Sequence, residues 1–169
     1  NIQRVDDLEH ADAQYADGIG LMRTEFLLAG RSELPDEETQ FQAYDAVLRW
    51  AGQRPVTIRT FDAGGDKPVP GFTVDGEANP FLGVRGYRLA MLPARPDLRE
   101  LFASQIRAAL VAAAASQGRL RVMAPMVAVR AEVEHLMALV AECRASLAAR
   151  GASAAAAHPL ELGVMIEIP

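Results

Sequence analysis

The sequence predicts an α/β fold, a partial (β/α)8 barrel built from about the first five of its eight strand–helix units. Three observations carry this expectation. Short β-branched or apolar runs alternate with amphipathic stretches, the rhythm of parallel strands joined by helical crossovers. No glycine-rich dinucleotide fingerprint follows the first strand, which disfavours a doubly wound open sheet. The 169 residues fall short of the roughly 250 of a complete barrel, and both ends fall in or beside strands. Residues 1–169 are therefore read as one piece of a barrel domain, with its C-terminal strands expected beyond Pro169.

The elements follow in order. Asn1-Ile2-Gln3 reads as the remnant of a strand, and Val5, Leu8, Ala11 and Tyr15 share one face of a predicted helix with Asp6 near its start. Gly18 to Met22 is a short apolar run of strand type. Pro35 followed by Asp36, Glu37 and Glu38 suits a helix start, because proline fits the first turn and acids complement the dipole. That helix is expected to run to about Trp50 and stop at Gly52. Pro55 to Phe61 is β-branched and predicts a strand. Asp62 to Pro80 has no helical period, and a structureless loop of that length in a compact domain is usually functional. Helical patterning resumes over Phe81–Met91 and Asp97–Ala115, before a strand over Leu120–Met126. Ala131–Arg150 predicts a long helix, Gly151–Pro159 a flexible connector, and Leu160–Ile168 a final strand.

Composition closes off several functions. The single cysteine, Cys143, rules out an internal disulfide framework and a multi-cysteine metal site. No apolar run approaches the ~20 residues needed to cross a bilayer, and no signal peptide opens the sequence. The net charge of −5 argues against a nucleic-acid surface. A soluble, cytoplasmic protein is expected, without membrane or nucleic-acid partners.

Arg23 closes one predicted strand, Arg59 closes the next, and Arg85 lies just past the long loop. In a barrel all three approach the C-terminal mouth, where active sites of this fold sit. Glu167 joins the same rim from the last strand. Guanidinium forks match phosphate and carboxylate, and a carboxylate facing phosphate calls for a cation between them. A phosphate-binding barrel is what this spacing supports. The plain alternative is ion pairing within the rim, Arg23 with Glu25 and Arg59 with Asp62, with Glu167 bridging to Arg59 or Arg85. His10, His135, His158 and Cys143 read as surface, packing or inert groups. Gly64-Gly65-Asp66-Lys67 could cradle an anion, yet it serves equally well as a plain turn.

These residues also carry a resemblance. Gly18 to Leu27 resembles the segment shared by the phosphoenolpyruvate-utilising enzymes. Arg59-Thr60-Phe61-Asp62-Ala63-Gly64-Gly65-Asp66-Lys67 and Asn79-Pro80-Phe81-Leu82-Gly83-Val84-Arg85-Gly86 are similar to their enzyme I branch, the phosphoenolpyruvate-protein phosphotransferases of bacterial sugar transport. Arg121 to Met126 and Gly163 to Pro169 continue that pattern in register. The resemblance implies a TIM-barrel domain that binds phosphoenolpyruvate and Mg2+ and forms a homodimer contact. Arg23, Arg59 and Arg85 match the family's substrate-binding arginines, and Glu167 its metal-ligating glutamate.

It further implies a transferase that moves the phosphoryl group to a histidine of its own N-terminal domain, then to a histidine-containing phosphocarrier protein. None of His10, His135 and His158 stands in the phosphoaccepting context, so no catalytic residue is expected here and the chain alone should not turn over. The second metal ligand, a further arginine and a cysteine of the family are expected past Pro169. A dikinase or synthase barrel is the alternative within the superfamily, disfavoured by the Gly-Gly-Asp-Lys run. A non-catalytic assembly module is the alternative outside it.

Overall fold

The strands β1 (Ile19–Arg23), β2 (Pro55–Arg59), β3 (Arg119–Ala124) and β4 (Leu160–Val164) form one sheet in that order, every neighbouring pair parallel. The computed structural model describes residues 1–28, 34–63, 76, 78, 79, 81 and 83–169. Helix α1 (Glu37–Ala51) connects β1 to β2, α2 (Pro96–Ser116) lies between β2 and β3, and α3 (Arg130–Ala149) with α4 (Ser153–Ala157) between β3 and β4. Strands in sequential order, each followed by a crossover, wind in one direction only. A doubly wound sheet would reverse that order. The α/β class holds, and the arrangement is compatible with part of a barrel wall.

The strands expose two unlike faces. Along β3, Leu120, Val122 and Ala124 are buried and alternate with less buried Arg121 and Met123. Strand periodicity puts the first set toward the helices and the second on the opposite face. Against the helix-facing set pack Tyr44, Val47 and Leu48 of α1 and Leu98, Phe102, Ile106 and Leu110 of α2 in one core. Every residue from Leu101 to Leu110 is buried, so α2 is covered on all sides. Its alanines let neighbours approach closely while favouring the helix. The buried guanidinium in that run, Arg107, is paired with Glu37 of α1 at 2.7 Å, as a buried charge requires.

Several expectations are corrected. The span 5–15 holds two 3-10 turns, Val5–His10 and Ala13–Tyr15, with Tyr15 85% exposed. Its apolar face is too sparse to dock a full helix. Pro35 lies before α1 rather than in its first turn, and Asp36 caps the helix, its carboxylate accepting from the Thr39 amide at 2.8 Å. Of the described residues in 81–91 only Gly86–Met91 are helical, again 3-10. The connector 151–159 contains α4, held by Arg144, which donates to the Ala156 and His158 carbonyls. β3 stops at Ala124, before Met126 at φ 59°, a left-handed residue no strand accommodates. β4 stops at Val164, though the Met165 amide still donates to the Ala124 carbonyl at 2.9 Å. The N-terminal strand remnant survives as one bridge, Ile2 to Met22.

Candidate functional site

Strand register assembles the site. Arg23 pairs with Arg59, Arg59 with Met123, and Met123 with Gly163, so one row crosses the sheet at its C-terminal end. Partners in a parallel pair present side chains to the same face, which puts the two guanidinium-bearing residues side by side. Like charges so placed repel unless carboxylates or an anion lie among them.

Carboxylates do. The Arg59 guanidinium donates from Nη2 to Glu25 Oε1 at 2.9 Å, and the same oxygen accepts the Asp62 amide at 2.9 Å. Asp62 Oδ1 in turn accepts from Arg85 Nε at 3.1 Å, with Arg85 Nη2 in ion-pair contact at 3.1 Å. The chain Arg59–Glu25–Asp62–Arg85 thereby ties together the loops after β1 and β2 and the residue preceding Gly86. Its side chains are only 10–20% exposed, so the charges interact through little solvent. Arg59 and Asp62 approach at 3.9 Å, a charge contact without a hydrogen bond.

Three buried donors in this row have no hydrogen-bond partner among the described residues: Arg23 Nε, Arg59 Nε and the Thr60 hydroxyl. A buried unpartnered N–H of a cation costs more than a neutral one, so such groups call for an acceptor. Among the described residues, the row and its flanking loops carry the guanidiniums of Arg23, Arg59 and Arg85 against the carboxylates of Glu25 and Asp62 in this network.

Gly86 permits this packing. It sits at φ +58°, and a Cβ there would lie 3.2 Å from Met126 Cβ and 3.3 Å from the Pro125 carbonyl oxygen. Beside it Arg88 donates from Nε to Glu132 at 2.7 Å, from Nη1 to the Gly83 carbonyl at 2.8 Å and from Nη2 to the Met126 carbonyl at 3.0 Å. Burial would raise the Glu132 carboxyl, but the Ala128 and Val129 amides and Arg88 outweigh it and hold it below its ordinary range. Arg88 and Glu132 therefore form a fixed brace under the loop after β3. Glu132 also caps α3, three residues after Val129.

Beneath the row runs a buried polar relay. The Gln105 amide nitrogen of α2 donates to the Thr24 hydroxyl at 3.1 Å and to the Tyr44 hydroxyl at 2.9 Å. Its carbonyl accepts the Phe61 amide at 3.2 Å. The Thr24 hydroxyl in turn donates to the Arg59 carbonyl at 2.8 Å, and the Tyr44 hydroxyl donates to Gln40 Oε1 at 3.2 Å. Burial raises the Tyr44 hydroxyl far above its ordinary pKa, so it remains a donor.

The expected site residues divide accordingly. Arg23, Arg59 and Arg85 all lie at the C-terminal end of β1 and β2 and the facing loop. The expected pairing was different, since Glu25 serves Arg59 rather than Arg23, and Asp62 chiefly serves Arg85. Glu167 lies three residues past the end of β4 and is exposed, accepting the Met126 amide at 2.9 Å. Among the described residues it pairs with neither Arg59 nor Arg85, the bridge that ion pairing within the rim would have made. Gly64-Gly65-Asp66-Lys67, with Pro80 and Leu82, lies outside the described residues. Sequence reasoning missed Arg88, Glu132 and Gln105. Glu132 carried a usable signal, an acid three residues into a helix; Gln105 sits inside an apolar helical run and carried none.

The remaining candidates are structural. Cys143 is buried, its thiol pushed up to about 11 by burial and donating to the Ala103 carbonyl at 3.5 Å. The His135 ring meets the Tyr87 hydroxyl at 2.9 Å, and Tyr87 stacks edge-on with Phe102 at 5.6 Å. His10 is exposed. No group of three or more metal-ligating side chains converges among the described residues, and no helix is long and apolar enough to cross a membrane.

Comparison with known proteins converges on one family. A family model described as PEP-utilising enzyme, PEP-binding domain matches residues 1–169. The phosphoenolpyruvate-protein phosphotransferase of Bacillus sp. (strain S) is 43% identical over all 169 residues. Those of Staphylococcus carnosus and Streptococcus equinus are 44% and 40% identical over the same span. In each case the chain covers 28% of the relative's length.

Proposed function

The chain belongs to the PEP-utilising enzymes through their PEP-binding domain, and from that premise we propose that it holds phosphoenolpyruvate for phosphoryl transfer within a larger phosphoenolpyruvate-protein phosphotransferase. The observation that carries this reading is the pair of neighbouring, partly buried cations, Arg23 and Arg59, whose buried Nε–H groups lack an acceptor among the described residues. A dianionic phosphate with an adjacent carboxylate supplies acceptors and offsets their mutual repulsion.

Each residue then has a definite part. Glu25 and Asp62 hold Arg59 and Arg85 in fixed rotamers, so no reorganisation is needed when substrate arrives. The guanidiniums spread positive charge over the phosphoryl oxygens as the bond to the enolate oxygen lengthens, the electrostatic and positional work that dominates phosphoryl transfer. The phosphoryl acceptor in this reading is a histidine of an N-terminal domain of the larger enzyme. From there the group passes to a histidine-containing phosphocarrier protein for sugar uptake, and the barrel pairs with a second copy as a homodimer.

Glu167 is the Mg2+ donor of this reading. Mg2+ takes about six hard oxygens and usually keeps several waters, so one exposed carboxylate at the rim fits as part of its shell. When bound, the ion would neutralise charge on phosphate and enolate oxygens. Calorimetric titration of the full-length protein with phosphoenolpyruvate, with and without Mg2+, tests both parts. Saturable binding that Mg2+ strengthens is expected, with Glu167→Gln losing the Mg2+ effect and keeping the metal-free affinity. Unchanged Mg2+ dependence in Glu167→Gln would remove the metal assignment. Absence of any phosphoenolpyruvate binding would remove the function.

A further inference from the structure

We propose that Gln105 is a positioning residue of the phosphoenolpyruvate site: from α2, without touching substrate, it sets the places of Arg23 and Arg59 through Thr24 and Phe61. The proposal rests on the anion-binding reading of the arginine row and adds to it the element that fixes the row's geometry.

Gln105 is 1% exposed, and three of its four hydrogen-bonding positions are used. Their direction is not reversible. The Phe61 amide can only donate, so the Gln105 carbonyl must face it and the NH2 must face the two hydroxyls. Thr24, which accepts from Gln105, lies between Arg23 and Glu25, and donates onward to the Arg59 carbonyl at 2.8 Å. Phe61 lies between Thr60 and Asp62, the residue that anchors Arg85. One side chain therefore grips the chain on both sides of the site at the two points where β1 and β2 have just ended. Beyond Arg23 and Arg59 the β1–β2 ladder no longer sets the backbone. From below, the distance between the two loops is set by the span of this amide, itself fixed by Tyr44 and Gln40 of α1, while Glu25 joins the same loops from the side of the arginines.

A purely structural role predicts that losing Gln105 lowers stability without changing how substrate is used. A positioning role predicts a specific loss. Gln105→Met keeps the volume and removes all three hydrogen bonds; Thr24→Val removes the other end of the most relevant one at equal volume. The two are read in the full-length protein as kcat and KM for phosphoenolpyruvate-dependent phosphoryl transfer, well below each variant's melting midpoint. Each is expected to lose about tenfold to a hundredfold in kcat/KM, the order a displacement near 1 Å costs. The double variant should lose little more than either alone, because both act through one contact. Asp36→Ala, which removes the α1 cap and none of the three Gln105 hydrogen bonds, serves as the stability control and should hold kcat/KM within about threefold while melting earlier.

Full kcat/KM in Gln105→Met, losses that multiply in the double variant, or an equal loss in Asp36→Ala would each overturn the positioning role. Arg59→Ala measured alongside separates the two levels. If it too is fully active, the arginine-row reading fails; if it is inactive while Gln105→Met is not, only the positioning role fails.

Discussion

Replacing Arg59 by alanine removes two things whose sizes can be worked separately. The first is its bond to Glu25, 2.9 Å long with the partners 13% and 20% exposed. Hydrogen bonds to charged groups contribute about 1.5–3 kcal/mol. Glu25 keeps the Asp62 amide, so it is not left bare, and Arg23 loses a cationic neighbour, so the stability loss should fall at the low end. The second is the contact to the anion. A charge-assisted bidentate bond that strengthens in the transition state is worth on the order of 3 kcal/mol, and each 1.36 kcal/mol is tenfold, so the rate should fall by roughly a hundredfold or more. The assay is phosphoenolpyruvate-dependent histidine phosphorylation in the full-length protein, beside thermal melting followed by circular dichroism. The expected pattern is a modest drop in melting temperature with a large drop in rate. Arg49→Ala, on the exposed side of α1 and paired only with Asp45, should leave both close to the parent. A rate near that of the parent would refute the assignment of Arg59 to substrate.

Gly86→Ala should destabilise by about 2–3 kcal/mol, combining a left-handed backbone with crowding against Met126, and lower the melting temperature by roughly 4–12 °C; an unchanged melt would show that the loop yields. The His135 ring, held below its ordinary 6.5 by burial and then by Arg99, favours the neutral form in the folded state. Its contribution is therefore complete above pH 6.5 and lost as pH falls below it, while the unfolded chain takes up the proton first. Melting temperatures measured from pH 7.5 to 5.5 should fall more steeply in the parent than in His135→Gln, and parallel curves would dismiss the group.

Alternation of apolar runs and amphipathic stretches determined the class, the four principal strands and the three long helices, because period-2 and period-3.6 burial are written directly in the residues. The same alternation located Arg23 and Arg59 at strand ends, where the register sets them side by side. Element ends were a different matter. Local patterning cannot see Met126 in its left-handed turn or the short reach of β4, since tertiary contacts set both. Pairing among the charges was likewise decided in three dimensions. Nearness in sequence suggested Arg23 with Glu25, yet Arg59 takes Glu25 from 34 residues away because the parallel register sets β1 and β2 side by side. Gln105 shows the limit most clearly. In sequence it is a polar residue amid alanines and leucines; only when α2 is enclosed on every side does its amide have nothing to bond except the two strand ends and Tyr44, and desolvation then forces it to bridge them.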